Sequence, residues 1–305
     1  MLGRDFVSML DLNPQSLARL LDLSLGMKRD GVGPVLQGQT LALIFEKPSL
    51  RTRVSFEMAM RRLGGHAIYM SAHEVQMGDR EPPRDVARVL SRMVQAIAAR
   101  TFDHETVLEL ARYADVPVVN ALSEDEHPCQ ALADLLTLRE RFGSLAGVRL
   151  AYVGDGNNVA RSLAYASVMA GMDFVCASPP GFGLPAETLE RACALSGGGS
   201  VTQLYDAHEA VRDATAVYTD VWASMGHEAE LESRKEHFAA FRLDAALLAA
   251  APADALVMHD LPAHRGEEIT DDVIESSRSV VFDQAENRMH AQQAVLAALL
   301  GGSLG

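Results

Sequence analysis

The chain has 305 residues, 48% of them hydrophobic, enough to bury a sizeable core in each of two domains. Its 41 acidic against 27 basic residues leave a formal charge of −14, which argues against a general nucleic-acid binder but not against a small anionic substrate, for which local positive charge suffices. Three cysteines, Cys129, Cys176 and Cys193, are too few and too odd in number for a disulfide framework and fit a reducing cytosol. The N-terminal "MLGRDFVSMLDL" lacks a basic region leading into a long apolar run, and charge or glycine breaks the apolar stretches short of membrane-spanning length. A soluble, cytoplasmic protein is expected.

In chain order, Asn13-Pro14 reads as an N-cap with proline at the first helical position, followed by Leu17, Leu20, Leu21 and Leu25 at helical spacing. "TLALIFE" is a run of strand length. A helix with Phe56, Ala59, Met60 and Leu63 on one face follows, ended by Gly64-Gly65. "HAIYM" (strand), "PPRDVARVLSRM" (helix), "AIAARTF" (strand), "HETVLELARYA" (helix) and "VPVVNAL" (strand) continue the alternation, which predicts a parallel sheet covered by helices. "HPCQALADLLTLRERFG" is a long amphipathic helix. A second alternating series takes in the strands "RLAYVGDG", "DFVCAS", "ATAVYTDVW", "DALVMHDLP" and "SVVFDQ", and "HAQQAVLAALL" closes the chain as helix. The expected architecture is two Rossmann-like parallel-sheet α/β domains joined by that long helix, with the change of domain near residues 140–150.

Five segments carry candidate chemistry. "PSLRTR" places Ser49, Arg51 and Thr52 at a helix start, where unpaired N–H groups and the dipole favour an oxyanion. A capping serine with two solvated arginines describes it equally well. In "HPCQ", His127 and Gln130 share a helix face and can both donate to a carbonyl oxygen; a helix-capping His and a surface Gln is the plainer reading, and Cys129 reads as packing. "VGDGNNVA" has Gly154 and Gly156 but Val159 where the dinucleotide fingerprint needs a third glycine, and no acidic residue ends the next strand, so a nicotinamide site is weakly supported. Asn157 and Asn158 there suit a carboxylate or a turn. Asp220 ends a strand before Ser224-Met225-Gly226 and suits a ligand crevice or a helix N-cap. His259, Asp260, His264 and Arg265 lack a recognised metal-ligand spacing.

Taken together, "SLRTR", "RTF", "HPCQ", "GDGNN", "DVWASMG", "HDLPAHRGEE" and "DQAENR", in this order along nearly the whole chain, resemble the aspartate/ornithine carbamoyltransferase family; "SMG" and "LPAHRGEE" resemble its ornithine branch. The resemblance implies transfer of the carbamoyl group of carbamoyl phosphate to L-ornithine, giving L-citrulline and phosphate in arginine biosynthesis, with no cofactor and no metal. It implies a carbamoyl-phosphate-binding domain over residues 1–140, with a C-terminal helix at 289–305 packing back on it, and an ornithine-binding domain over 141–288. Ser49, Leu50 (through its N–H), Arg51 and Thr52 would bind phosphate. Arg100, His127 and Gln130 would address the carbamoyl group, Arg100 also reaching the phosphate. Gln76 would reach the phosphate of a neighbouring subunit in a homotrimer with active sites at subunit interfaces. Leu261 would offer its carbonyl to the carbamoyl NH2, and Arg288 would complete the pocket. Asn158, Asp220, Ser224 and Met225 would hold the amino-acid end of ornithine.

The residue types suit that chemistry. Negative charge grows on the carbonyl oxygen and then on departing phosphate, where cations and N–H donors stabilise it. The attacking amine must be neutral although its free pKa lies near that of lysine, about 10.4, so the site has to favour deprotonation by desolvation beside cations. Closure of the two domains would bring the substrates together and exclude water. Two positions depart from the family: Leu50, where many members have threonine, and Asp260, where the ornithine branch usually has cysteine. An anionic Asp260 beside the attacking amine could orient it or take its proton, and would raise the pKa of a neighbouring Asp220. Rival readings are a carbamoyltransferase for another amine, such as putrescine or a modified ornithine, an inactive binding paralogue, and a dehydrogenase-like nucleotide binder.

Overall fold

Short apolar strands of four to six residues alternate with helices from Thr40 onward, and each strand joins a parallel sheet. A computed structural model describes residues 5–223 and 231–301. They form two compact units, Met1–Leu136 with Glu286–Gly305, and Thr137–Ala285.

The first unit runs α1 (Pro14–Asp30), β1 (Thr40–Phe45), α2 (Leu50–Arg62), β2 (His66–Ser71), α3 (Ala72–Val75), α4 (Pro83–Leu90), β3 (Ala96–Arg100), α5 (His104–Tyr113), β4 (Val118–Leu122) and the start of α6 (Pro128–Phe142). The predicted start of α1 is present: Asn13 Oδ1 accepts from Ser16 N–H and Pro14 takes the first helical position. The sheet order is β2-β1-β3-β4, all parallel. β1 and β3 are buried nearly throughout, which is why they read as continuous apolar runs. The chain leaves β1 toward β2 on one side and β3 toward β4 on the other, so the carboxyl ends of β1 and β3 flank the point where strand order reverses. Such a reversal opens a crevice between the outgoing loops.

The second unit contains β5 (Arg149–Val153), α7 (Asn158–Met169), β6 (Asp173–Ala177), α8 (Ala186–Cys193), β7 (Ser200–Leu204), α9 (Ala207–Val211), β8 (Ala216–Thr219), α10 (Leu231–Phe238), α11 (Ala245–Ala250), β9 (Leu256–His259), α12 (Asp271–Ile274) and the start of α13 (Val281–Leu300). Its sheet is parallel in the order β7-β6-β5-β8-β9, with the reversal between β5 and β8. Trp222 stacks on Phe238, which also packs against Phe182 and Phe241 in the core.

Two features correct the sequence reading. "SVVFDQ" is not a strand: Ser279 makes a single bridge to Val257, and α13 begins at Val281. β7, absent from that reading, is an edge strand whose residues are exposed or half-buried, so "SVTQL" carries no apolar run to mark it. Among the described residues no helix is long and apolar enough to cross a membrane.

Candidate active site

The first unit gathers its candidate residues at the sheet reversal. Glu46–Ser49 leave β1, Ser49 is the N-cap of α2, and its hydroxyl accepts from Thr52 N–H at 3.3 Å. The capping reading of Ser49 therefore holds, and it leaves the N–H groups of Leu50 and Arg51 in the first helical turn, where no intrahelical acceptor exists. Thr52 Oγ1 accepts from Ser49 Oγ at 3.0 Å and from Arg288 Nη2, on α13, at 2.7 Å. With both lone pairs of that oxygen engaged, its own proton is the function left to offer. Arg53, the other arginine of the motif, is turned to the surface, paired with Glu57 and lying over the Tyr69 ring.

Arg100 ends β3 beside Phe45 at the end of β1, and its side chain is buried. His127 and Gln130, at the start of α6, are buried as well, which excludes a surface role for the glutamine. Burial, and then the charges of Arg288 and Arg100, hold the His127 pKa well below the ordinary imidazole value. The ring is therefore neutral and can donate one N–H without carrying a proton to be lost. Gln130 differs from expectation. Its Nε2 donates to Asp134 Oδ1 at 2.8 Å, and its buried Oε1 has no partner among the described residues. The amide thus presents an acceptor, not a second donor to a carbonyl. Cys129 is buried, its thiol pushed up to about 12 by burial, which suits packing and not nucleophilic attack.

Gln76 is exposed on the loop after α3. It and Leu261 are the two non-glycine residues with positive φ among the described residues, at 49° and 61°. Backbone held in this sparsely populated region concentrates at ligand sites.

In the second unit the reversal between β5 and β8 brings "GDGNN" beside Asp220. Asn157 caps α7, accepting from Val159 and Ala160 N–H, and donates through Nδ2 to Asp220 Oδ2 at 2.6 Å; Tyr152 Oη donates to Asn157 Oδ1. Asn158 Oδ1 accepts from Val159 N–H, and the side chain is buried. Asp220 is not an N-cap: Val221–Ala223 are not helical. Ser224 and Met225 lie outside the described residues. Desolvation first, then the charge and hydrogen bond of Asp260, push the Asp220 carboxyl well above its usual range.

Behind Asp260, His259 is fully buried. Leu261 N–H donates to its Nδ1 at 2.9 Å, and Nε2 faces Glu268 Oε1 at 3.0 Å, so the neutral ring carries its proton on Nε2. Proton uptake at Nδ1 exchanges the Leu261 contact for Asp260 Oδ1, 3.3 Å away. Burial lowers the His259 pKa, but hydrogen bonds with Asp260 and Glu268 and the charges of Asp260 and Asp220 outweigh it and bring the value to about 10. The peptide bond Leu261–Pro262 is cis. Asp220, His259 and Asp260 have potential ligand atoms close enough together for a metal ion, as do His264, Glu267 and Glu268. In the first group both ring nitrogens of His259 and both oxygens of Asp220 are already in protein hydrogen bonds.

Asp134 and Glu268 were missed as partners; Asn157, read as suited to a carboxylate or a turn, does both, on Asp220 and at the start of α7. A carboxylate four residues after Gln130 on a helix was a readable signal; that the carboxylate held by Asn157 is Asp220, 63 positions on, was not.

Family models match both units. One described as "Aspartate/ornithine carbamoyltransferase, carbamoyl-P binding domain" covers residues 4–140, and the corresponding "Asp/Orn binding domain" covers 146–299. The chain belongs to the aspartate/ornithine carbamoyltransferase family. It is 51% identical to the ornithine carbamoyltransferase of Pyrococcus abyssi over 98% of this chain and 96% of that one, and 50% identical to the anabolic enzyme of Pyrococcus furiosus over 98% and 97%. The solved Pyrococcus furiosus ornithine carbamoyltransferase superposes with a TM-score of 0.94 at 50% identity, covering 99% and 98% of the two chains. That from Thermus thermophilus gives 0.91 at 48%, covering 98% and 100%.

Proposed function

We propose that the protein is an ornithine carbamoyltransferase that converts carbamoyl phosphate and L-ornithine to L-citrulline and phosphate, in the direction of arginine synthesis. The observation that carries the reading is the neutral, buried His127 beside Arg100 and Arg288, with Arg288 tied through Thr52 to the first turn of α2. That grouping supplies several positive charges and N–H donors to one oxyanion-rich ligand in a protein of net charge −14.

In this reading the phosphate lies on Ser49, the N–H groups of Leu50 and Arg51, the Arg51 guanidinium and the Thr52 hydroxyl. Gln76 reaches the phosphate of an adjoining copy in a homotrimer. Arg100 and His127 face the carbonyl oxygen, where charge develops as the tetrahedral carbon forms. Gln130 Oε1 and the Leu261 carbonyl accept from the carbamoyl NH2. Asn158, Asp220, Ser224 and Met225 hold the amino-acid end of ornithine. The neutral δ-nitrogen attacks the carbonyl carbon, the C–O bond to the phosphate breaks, and the proton shed by nitrogen ends on the phosphate as HPO4²⁻. Asp260, where the ornithine branch usually has cysteine, orients that nitrogen and accepts its proton in passing. The enzyme acts in the cytoplasm and needs no cofactor.

The dehydrogenase-like alternative is disfavoured by packing. Gly156 N–H donates to Phe182 O at 2.7 Å, and a Cβ on Gly156 would lie 2.4 Å from the carbonyl carbon of Gly183. Backbone of this chain occupies the approach that a pyrophosphate would need.

The test is citrulline formation from carbamoyl phosphate against a panel of amines. Turnover with ornithine and not with putrescine is expected. Turnover with another amine in its place, or binding of carbamoyl phosphate without turnover, would overturn the assignment.

A further inference from the structure

Gln130 and Asp134 lie one turn apart on α6, and neither side chain is exposed. A primary amide presents similar shapes after a half-turn, with donor and acceptor exchanged. A carboxylate oxygen accepting at one end removes that degeneracy, because it draws the nitrogen. Gln130 Nε2 donates to Asp134 Oδ1, leaving Oε1 at the other end, buried and without a partner among the described residues. A buried acceptor in that state is costly, so a ligand donor reaching it is favoured and a ligand that lacks one is penalised. Gln130 N–H donates to the carbonyl of His127, which precedes α6 and whose ring feels Arg100 and Arg288.

We propose that Asp134 is a positioning residue that fixes the Gln130 amide with its oxygen toward the carbamoyl group, and so makes the site select an acyl phosphate bearing –NH2 over one bearing –CH3. This rests on the carbamoyl-phosphate reading of the first unit. Carbamoyl phosphate donates an N–H to Oε1. Acetyl phosphate has the same size and charge, but its methyl leaves Oε1 unpaired, and a site built around such a hydrogen bond discriminates against the ligand that lacks it. With the amide reversed, NH2 would face NH2 and the preference would be lost. Asp134 sets the selection without touching substrate.

The experiment measures dissociation constants by calorimetry for phosphonoacetamide, acetonylphosphonate (its methyl ketone counterpart) and orthophosphate, on wild type, Asp134→Asn, Gln130→Leu and the double variant. Asparagine matches aspartate in shape but can donate as well as accept, so it releases the Gln130 amide. Wild type is expected to favour phosphonoacetamide by about tenfold, the worth of one buried hydrogen bond. Asp134→Asn should reduce that preference to about twofold and leave orthophosphate binding within about twofold of wild type. In the Gln130→Leu background Asp134→Asn should change the preference no further. Retention of the wild-type preference by Asp134→Asn, or an equal loss for all three ligands, would overturn the proposal. Wild type binding both phosphonates equally would also overturn it while leaving the carbamoyl-phosphate reading standing; wild type binding none of the three would sink both. Should Asp134→Asn not fold, neutron diffraction of the wild-type phosphonoacetamide complex decides: deuterium on the Gln130 atom facing Asp134 and none on the atom facing the ligand supports the proposal, and the reverse overturns it.

Discussion

Arg288 donates to the Thr52 hydroxyl although 236 positions separate them, and through that bond the last helix of the chain is fastened to the first turn of α2. The same guanidinium is the leading charge that lowers the His127 pKa. One side chain therefore serves the first turn of α2 and the protonation state of the imidazole together.

Replacement of Arg288 by Met should act on both. Loss of a charge-assisted hydrogen bond is worth about 1.5–3 kcal/mol, so carbamoyl phosphate should bind roughly 10- to 100-fold more weakly. The His127 pKa should rise, because a cation that opposed protonation is gone and desolvation and Arg100 remain. Phosphonoacetamide titration measures the first effect, and the His127 ring resonance followed against pH measures the second. A weakened site with an unmoved His127 would separate the two roles and contradict the electrostatic account.

Much of this arrangement was legible in the residues. The strands β1, β3, β5 and β8 are continuous apolar runs because both faces of a parallel sheet are covered, and the motifs that follow them sit at carboxyl ends beside a strand-order reversal. Resemblance supplied the ligand assignments that residue types alone left open. What was not legible depends on tertiary pairing. An exposed edge strand such as β7 has no apolar run; "SVVFDQ" has one, yet Val280 and Val281 are buried at and just before the start of a helix. Similarly, the amide direction of Gln130 and the two hydrogen bonds of His259 follow from partners that spacing does not name, save for the i, i+4 carboxylate of Asp134.

Asp260 raises the Asp220 pKa by charge and by hydrogen bonding. Asp260→Asn removes the charge, so Asp220 should ionise at lower pH and the acid limb of kcat/KM should move down. The maximum should also fall, since the attacking nitrogen loses an anionic acceptor. Asp260→Cys restores an ionisable group of higher intrinsic pKa and should give a third profile. The measurement is kcat/KM for ornithine against pH for the three proteins; coincident profiles would remove Asp260 from the mechanism.

Gly156 is tolerated at its position by the absence of a side chain and not by its φ angle. A methyl there would meet the Gly183 carbonyl carbon and oxygen at 2.4 and 2.5 Å, and these are backbone atoms. Gly156→Ala should therefore cost about 1–3 kcal/mol by overpacking and lower the Tm. Calorimetry checks this; an unchanged Tm would mean that the 182–184 loop moves aside freely, and would reopen the space that the packing denies to a nucleotide.

His259 supplies the last test, because its ring sits between two descriptions of one proton. A folded pKa of about 10 against an ordinary 6.5 means that the native state holds a proton that the unfolded chain has released over that interval. The stabilisation is complete below pH 6.5, declines as pH rises, and is gone above about 10, with a slope no steeper than about 1.4 kcal/mol per pH unit. Urea unfolding of wild type and His259→Gln at pH 6, 8 and 10 should show the difference between them shrinking with pH. The Leu261 N–H on Nδ1 pulls the other way, toward a ring protonated only at Nε2. A difference that stays constant from pH 6 to 10 would establish that backbone contact as dominant, and His259 would then act as a neutral link between Leu261 and Glu268 and not as the counter-charge to Asp260.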